Sequence, residues 1–308
     1  MAIITTPDKG WYPDTTFVAA ADAAPEALVL NELAATCVAA PQGDQASVRV
    51  PFIDADPAAS MTFEGDPLDE SDPALTDLVI PTVKIGFISR LSNEAYSHIG
   101  GDADKNDTLE QSLRRAITAQ ADTLFLNNIA PEPPAEGEAT EDEHTPQPAT
   151  YSIDGLATNT NLIDGGTIDA TTMLTPIIDT LAQLGDNGAT PTAIIASNTA
   201  WARLLKLKYA DGRGMVNPDV QAQTLPMLLG LPVIRNSAAP KDTLFIVDST
   251  RLFTAFGDIA ITVDHSYYFG SDSTAVRVTA RIGWGFAHKN MAARLTVSDP
   301  TATAAASK

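Results

Sequence analysis

Eight acidic residues between Pro51 and Val83 are the first candidates for chemistry, because carboxylates bind metal ions and transfer protons. The same stretch contains no lysine or arginine. The eight are Asp54, Asp56, Glu64, Asp66, Asp69, Glu70, Asp72 and Asp77. Their spacing matches no metal-ligand pattern, which favours a solvated acidic loop. A carboxylate metal site, or a hydrolase site converging on Asp54, Asp56 and Glu64, is the alternative.

A second acidic group precedes a helical pattern. Asp102, Asp104 and Asn106 have the spacing that opens an EF-hand calcium loop. Asp107 then stands where that loop needs glycine, and Leu113 stands where it needs glutamate. The group is therefore predicted to cap the helix rather than to bind calcium.

The remaining reactive side chains form no recognisable site. The histidines, His98, His144, His265 and His288, lack the helical spacing of paired ligands, and Cys37 is the only cysteine. The chain has no phosphate-binding, dinucleotide-binding or nucleophile-elbow motif. No catalytic residue, metal or cofactor is predicted.

Two further groups are interpreted as contact residues. The loop Asp211–Gly214, with Arg213, is favoured as a glycine-hinged contact loop over a phosphate cradle. Trp201, Trp284 and the Tyr267–Phe269 run are favoured as core or interface anchors over a ligand box.

Composition and charge argue against several classes of protein. The formal net charge of -20 disfavours a dedicated nucleic-acid reader, since the 19 basic residues are scattered. No apolar run approaches the roughly 20 residues of a membrane-spanning helix, and the N-terminus lacks a signal-peptide pattern. The length of 308 residues and the ordinary apolar content predict a folded protein with a sizeable core.

Hydrophobic periodicity predicts a hairpin followed by a long helix. Strands at Val48–Val50 and Val79–Ser89 would enclose the acidic stretch. Apolar residues recur at helical spacing over Asp107–Asn127, where Asp107 and Glu110 fit a capping box. Such a helix is a spine on which strands pack.

Further elements alternate along the second half of the chain. A helix is predicted over Thr167–Leu184, kinked or started at Pro176. A buried strand at Ala193–Ala196 and a helix over Asn198–Tyr209 follow. Met227–Val297 then reads as strands joined by tight turns.

The order of these parts resembles that of the major capsid proteins of tailed bacteriophages with the Hong Kong 97-type fold, over about residues 20–297. Glu64–Ile80 and Lys84–Glu94 resemble the family's long hairpin, the E-loop, and its return to the spine helix. Gly230–Phe253 is similar to the turn from the axial domain to the periphery, and Asp272–Leu295 to the closing strand pair.

The resemblance implies an α+β fold with an N-terminal arm, an E-loop hairpin, a long spine helix, and peripheral and axial domains. The implied divisions are an arm (1–47), the hairpin with its flanking strands (48–89), a peripheral domain with the spine helix and an acidic insertion at 130–150 (90–185), an axial domain (186–256), peripheral closing strands (257–298) and a flexible tail (299–308).

The resemblance also implies a structural function without catalysis. Identical subunits would form pentamers and hexamers of an icosahedral virion shell, assembled in the host bacterial cytoplasm around double-stranded DNA. The shell would enclose DNA without sequence-specific binding and would need no membrane or cofactor. A separate scaffolding protein, a portal and decoration proteins are the other expected partners. A nanocompartment shell of the same fold is the alternative, and a soluble α+β hydrolase is a rival from another class.

Subunit interfaces are then expected at the arm, the hairpin, the spine helix and the glycine loop. The candidate interface residues are Trp11, Phe17, Phe63, Glu64, Asp69, Glu70, Arg114, Arg213 and Met215. Some members of the family weld their subunits through an E-loop lysine, which the hairpin here does not contain. Shells without covalent cross-links are therefore expected. Met1 lies only about fifty residues before the hairpin, which predicts a separate scaffolding protein or none.

Overall fold

The computed structural model describes residues 16–18, 27–39, 41, 45–63, 70–93, 103–127, 154–209, 213–216 and 226–299. Within these residues the chain folds into two β-sheets, and helices pack on both of them. The predicted α+β architecture is confirmed.

The predicted hairpin is present and longer than its sequence pattern. Strand β3 (Ser47–Ala55) pairs antiparallel with the first half of β4 (Ala74–Ser92), with Val48 opposite Ile80 and Ile53 opposite Leu75. The second half of β4 leaves the hairpin and pairs with β12 (Ser273–Phe286) in the body of the protein. One strand of 19 residues therefore belongs to both the hairpin and the first sheet.

Strand β12 is the centre of the first sheet. Strand β4 pairs with one edge of β12. On the opposite edge, β11 (Ile259–Tyr268) pairs with the first part of β12, and β10 (Leu252–Phe256) pairs with its last part. Two short strands complete this sheet: β1 (Thr16–Val18) pairs with β11, and β2 (Thr36–Ala39) pairs with β10. The first sheet thereby joins distant parts of the chain.

Helix α1 (Ala103–Asn127) is the predicted spine helix and covers one face of the first sheet. At 1.5 Å per residue its 25 residues span about 38 Å. Its buried stripe repeats at every fourth residue: Leu113, Ile117, Ala121 and Phe125. The helix begins four residues before the predicted start, so Asp107 lies within it. The predicted capping box is therefore wrong, and Glu110 pairs with Arg114 one turn later.

The second sheet is buried on both faces. Its order is β5 (Ile163–Ile168), β13 (Ala293–Val297), β9 (Thr243–Val247), β6 (Ala193–Ser197), β8 (Leu231–Asn236) and β7 (Met227–Leu228). Side chains of a strand alternate between faces. Ala193 and Ile195 join the core beneath α1, whereas Ile194 and Ala196 join a second core. Burial on both faces explains the continuous apolar run of this strand.

Two helices cover the outer face of the second sheet. Helix α2 (Thr175–Asp186) has Pro176 at its start, where the missing N–H costs nothing. The predicted start at Pro176 is confirmed, whereas the start at Thr167 is wrong because that residue belongs to β5. The helix stops before Gly188, whose φ of 82° favours glycine. Helix α3 (Asn198–Lys206) follows β6 directly and is three residues shorter than predicted.

The Ser197 side chain caps α3, and its removal has a measurable cost. Its Oγ accepts a hydrogen bond from the Ala200 N–H at 3.0 Å. Ser197→Ala is expected to lower the free energy of unfolding by about 1 kcal/mol, because a buried N–H loses its acceptor. Urea denaturation measures this loss, and Ser237→Ala at an exposed turn is the matched control. Equal losses in both variants would contradict the capping role.

Sheet membership divides the chain differently from the boundaries implied by the family resemblance. Strand β5 and helix α2, within 90–185, pack in the second sheet and its core. Strand β10, within 186–256, pairs in the first sheet, and β13, within 257–298, pairs in the second. The reason is that β13 lies between β5 and β9 and pairs with both. Strands β5 and β13 are far apart in the sequence.

Part of the segment interpreted as an extended arm is built into the core. Leu28 and Val29 are fully buried in a 3₁₀ turn. The Val29 carbonyl accepts a hydrogen bond from Thr254 Oγ1 at 2.5 Å. Residues 27–39 therefore anchor the chain between α1 and the first sheet. Residues 1–15 lie outside the described part.

Candidate assembly surfaces

The two faces of the hairpin differ in what they contact. Val48 and Ile80 lie on its inner face and form a small core with Ala255 of the body. The outer face, reached by the alternate residues, presents Ile53 and Leu75 as register partners, with Val79 four positions further along β4. The charged residues Asp77 and Arg49 lie on the same face. Leu75 is 75% exposed. Several large apolar side chains exposed on one face of a hairpin are unusual for an isolated subunit.

The loop after β3 continues this apolar surface. Met61 and Phe63 are 87% and 72% exposed. Large apolar side chains that are so exposed, on a hairpin whose other face is already packed, are typical of protein contacts. The outer hairpin surface is defined here as Ile53, Met61, Phe63, Leu75 and Val79.

The loop end of the β3–β4 ladder is held against the body by an aromatic and an ionic contact. His288 Nδ1 lies 3.4 Å from Asp54 Oδ1, and the His288 ring meets the edge of Phe52 at 5.3 Å. Asp54 and Asp56 line a cavity of about 520 Å³ here, together with Arg251. None of the side chains lining it is a serine, threonine, cysteine or lysine. The contact therefore fixes the hairpin on the body.

The other candidate sites for chemistry are accounted for by local structure. Asp104 and Asn106 lie in the first turns of α1, so they do not form the calcium loop considered above. His265 Nδ1 contacts Thr274 Oγ1 at 3.0 Å, and His98 lies outside the described residues. In the described part of the chain, no three His, Cys, Asp or Glu side chains are grouped to hold a metal ion. No helix there is long and apolar enough to span a membrane.

The aromatic residues separate into buried and exposed groups. Trp201 and Trp284 are core residues, and Trp284 Nε1 donates to the Asp154 carbonyl at 2.9 Å. Phe269, in contrast, is 87% exposed at the turn between β11 and β12. The predicted aromatic group thus includes two core anchors, Trp201 and Trp284, and two exposed side chains, Tyr267 and Phe269.

A model of the phage capsid family matches residues 32–297. The chain belongs to the phage capsid family. None of the curated protein sequences matches this capsid protein.

Solved structures from phages share the fold of this capsid protein. A chain from Mycobacterium phage Bobi has a TM-score of 0.63 at 15% identity, and the match covers 88% of this chain and 90% of that one. A chain from Microbacterium phage Oxtober96 has a TM-score of 0.61 at 15% identity, covering 94% of each. A structure described as the capsid of a native GTA particle has a TM-score of 0.59 at 16% identity, covering 88% and 89%. The predicted family and capsid fold are confirmed.

The predicted interface residues of the capsid protein occupy different environments. Phe63 and Glu70 are exposed on the hairpin loop. Phe17 lies in β1 opposite Ala260, and nothing is described of its side chain. Trp11, Glu64 and Asp69 lie outside the described residues. The structure therefore brings together only the hairpin members of the set.

The remaining three predicted interface residues are tied to their own subunit. Arg114 is mostly buried on α1, where its guanidinium pairs with Glu110. The Arg213 carbonyl accepts from the Tyr209 N–H at 2.9 Å, and the Met215 N–H donates to the Leu207 carbonyl at 3.0 Å. Met215 also packs against the second core. A role for these residues at an interface stays a prediction.

A buried carboxyl on the spine helix was not anticipated from the sequence. Asp122 accepts hydrogen bonds from the Leu28 N–H at 2.8 Å and from Asn236 Nδ2 at 2.7 Å. Burial raises the pKa of Asp122 to about 6, although both hydrogen bonds act in the opposite direction. Arg115 and Arg235 line the adjoining cavity of about 610 Å³. One acidic residue in a helical pattern gives no sign of such burial.

Proposed function

We propose that this capsid protein self-assembles into pentamers and hexamers of a closed icosahedral shell that encloses double-stranded DNA. The observation that carries the proposal is the hairpin, which packs one face on its own subunit and leaves large apolar side chains exposed on the opposite face. In a shell this open face would lie across a neighbouring subunit. The protein would act through its surfaces and would catalyse no reaction.

The dimensions of the hairpin suit a contact between subunits. At about 3.3 Å per residue, the 19 residues of β4 span about 60 Å, and its first half pairs with β3. Burying one large apolar side chain stabilises a contact by about 1.5–3 kcal/mol. Several side chains on the outer hairpin surface would therefore supply enough free energy to offset the lost freedom of one subunit.

Other partners follow from the same proposal. A shell of this kind would use a separate scaffolding protein during assembly, a portal at one vertex and decoration proteins on its outside. The arm, the hairpin and the glycine loop would each contact neighbouring subunits. The mature shell would be located in the virion after assembly in the host bacterial cytoplasm.

Assembly of the purified protein tests the proposal. Sedimentation velocity and electron microscopy of the overexpressed wild type should show closed spherical particles of regular size. Met61→Asp/Phe63→Asp should prevent particle formation, because two carboxylates would be buried at the contact. Met61→Leu/Phe63→Leu is the matched control and should assemble, since it keeps the surface apolar.

Two outcomes would contradict the proposed function. A wild-type protein that stays monomeric at every concentration would overturn self-assembly. Particles from producing cells that hold an enzyme instead of double-stranded DNA would favour the nanocompartment alternative.

A further inference from the structure

The first sheet has one covered face and one open face. Ile85 and Val278 lie on the face that α1 covers and belong to the main core. Because side chains of a strand alternate between faces, the residues next to them in the chain lie on the open face. The register places Lys84 beside Arg281 there, and Lys84 and Arg277 are both exposed.

The open face concentrates positive charge in a strongly acidic protein. It carries Lys84, Arg90, Arg277 and Arg281, defined here as the basic face. The register of β11 and β12 also places one acidic residue, Asp264, on this side. Four cations and one carboxylate leave the face clearly positive, in a chain whose formal net charge is -20. The scattered basic residues of the sequence are thus brought together by strand pairing.

The middle of the basic face is flat. Gly86, Thr279 and Ala260 lie side by side on β4, β12 and β11. This row of small residues crosses the sheet between the positions of Arg281 and Arg277. A broad and rigid ligand can therefore approach the cations on both sides of the row without meeting a large side chain.

The spacing of the cations fits the phosphates of a DNA duplex. Arg277 and Arg281 lie on the same face of one strand, about 13 Å apart at about 3.3 Å per residue. The major groove of B-DNA is about 12 Å wide, so two cations at this separation can contact the phosphates on either side of a groove. Arg90 is held over the Tyr268 ring, 5.0 Å from its centroid. Guanidinium groups form paired hydrogen bonds with phosphate, which suits a face with three arginines.

We propose that the basic face contacts the phosphate backbone of the double-stranded DNA enclosed by the shell. The inference rests on the proposed function and names the surface that would touch the enclosed DNA. The open face of the first sheet would then line the interior of the shell. Phosphate contacts carry no sequence information, so any duplex would be held equally well.

The overall negative charge does not prevent such a contact. A net charge of -20 repels a phosphate backbone at long range, which disfavours a protein that must find DNA in solution. At 0.1 M salt, however, the Debye length is about 10 Å, so a phosphate on the basic face is affected mainly by the cations beside it. Enclosure also keeps the DNA at a high local concentration, and many subunits contact it at once. A weak contact from each subunit is then sufficient.

A duplex suits the basic face better than an acidic protein segment does. Duplex DNA carries about one negative charge per 1.7 Å of its axis, at positions fixed by the double helix. An acidic polypeptide has to lose conformational entropy before its carboxylates can match cations that are fixed on a sheet. The rigid ligand therefore retains more of the favourable charge interaction.

DNA binding by unassembled subunits tests the proposal. Fluorescence anisotropy with a labelled duplex of about 20 base pairs, at salt concentrations from about 50 to 200 mM, gives the affinity and its salt dependence. Lys84→Gln/Arg277→Gln is expected to weaken binding at least tenfold at the lowest salt. The slope of log K against log salt should also fall by about 2, because two phosphate contacts are lost.

The matched control removes the same two residue types elsewhere on the surface. Arg115→Gln/Lys241→Gln changes one arginine and one lysine that are exposed on α1 and before β9, off the basic face. This variant has the same net charge as Lys84→Gln/Arg277→Gln and should bind the duplex as wild type does. Equal losses in the two variants would mean that net charge alone sets the affinity, and would contradict a site on the basic face.

Electron microscopy of the same proteins without DNA separates this contact from self-assembly. Lys84→Gln/Arg277→Gln should form closed particles like wild type, which also shows that it folds. A variant that cannot form them would place the face between subunits and contradict the proposal. A wild type that assembles but binds the duplex no better than this variant would overturn the DNA contact alone, whereas a monomeric wild type would overturn self-assembly. If polyglutamate of equal charge binds wild type as tightly as the duplex does, the face suits an acidic protein segment and the proposal is wrong.

Discussion

Phe125→Ala is expected to lower the free energy of unfolding by about 3–5 kcal/mol, because it opens a cavity at the centre of the main core. Phe125 is fully buried on α1, and its ring meets the edge of Trp284 at 5.4 Å. That contact joins the spine helix to the central strand β12. Native domains have a total stability of about 5–15 kcal/mol, so the variant would be close to unfolding.

The matched control removes a phenylalanine side chain that lies on the surface. Phe63→Ala deletes a ring that is 72% exposed on the hairpin loop, and should change the free energy of unfolding by less than about 0.5 kcal/mol. Urea denaturation of unassembled subunits, followed by tryptophan fluorescence, measures both variants. Similar losses in the two would show that Phe125 does not have the central packing role assigned to it.

Elements whose residues repeat at a clear period could be predicted from the sequence. The stripe from Leu113 to Phe125 defines the buried face of α1. The strand around Ile194 and Ile195 is apolar throughout because it lies between two cores. In both cases the burial that stabilises the element also dictates its residue types.

Partnerships between elements could not be predicted in the same way. Periodicity shows which face of a strand is buried, but not which strand lies beside it. Strand β13 is an example, since its parallel pairing with β5 joins residues about 130 positions apart. Leu28 and Val29 were misread for a related reason: a short apolar segment shows no period that reveals the core it enters.

The assembly surfaces were only partly predictable. The acidic composition of the hairpin is plain in the sequence, and Phe63 and Glu70 lie on its loop. The pairing of the basic residues Lys84 and Arg281 is not plain in the sequence, because they become neighbours only through the register of β4 and β12. Exposure of Phe269 and burial of Trp284 likewise depend on tertiary position, since both residue types suit either environment.

Asp122 is expected to make the capsid protein more stable as the pH falls from 7 to 5. Burial raises the pKa of its carboxyl from 3.8 to about 6, so the folded state binds the proton more tightly than the unfolded chain does. The resulting stabilisation is complete below the unfolded pKa and is lost as the pH rises through about 6. Between pH 7 and pH 5 it amounts to about 1 kcal/mol.

Asp122→Asn isolates this contribution, because the amide has nearly the same shape and does not ionise. The difference in free energy of unfolding between wild type and variant should shift by about 1 kcal/mol in favour of wild type between pH 7 and pH 5. Asp179→Asn, at an exposed position on α2, is the matched control. Parallel pH profiles for wild type and Asp122→Asn would contradict a proton bound more tightly in the folded state.

Asp122→Ala should have a larger effect, because this carboxyl joins three parts of the fold. It links the spine helix to Leu28 of the anchored N-terminal segment and to Asn236 at the end of β8. Alanine would leave the Leu28 N–H and Asn236 Nδ2 without these acceptors, each at a cost of about 1–3 kcal/mol. At pH 5, where Asp122 is largely protonated, the free energy of unfolding should therefore fall by about 2–4 kcal/mol. A loss confined to pH 7 would mean that the charge of Asp122, and not its position as a junction, sets the stability of the fold.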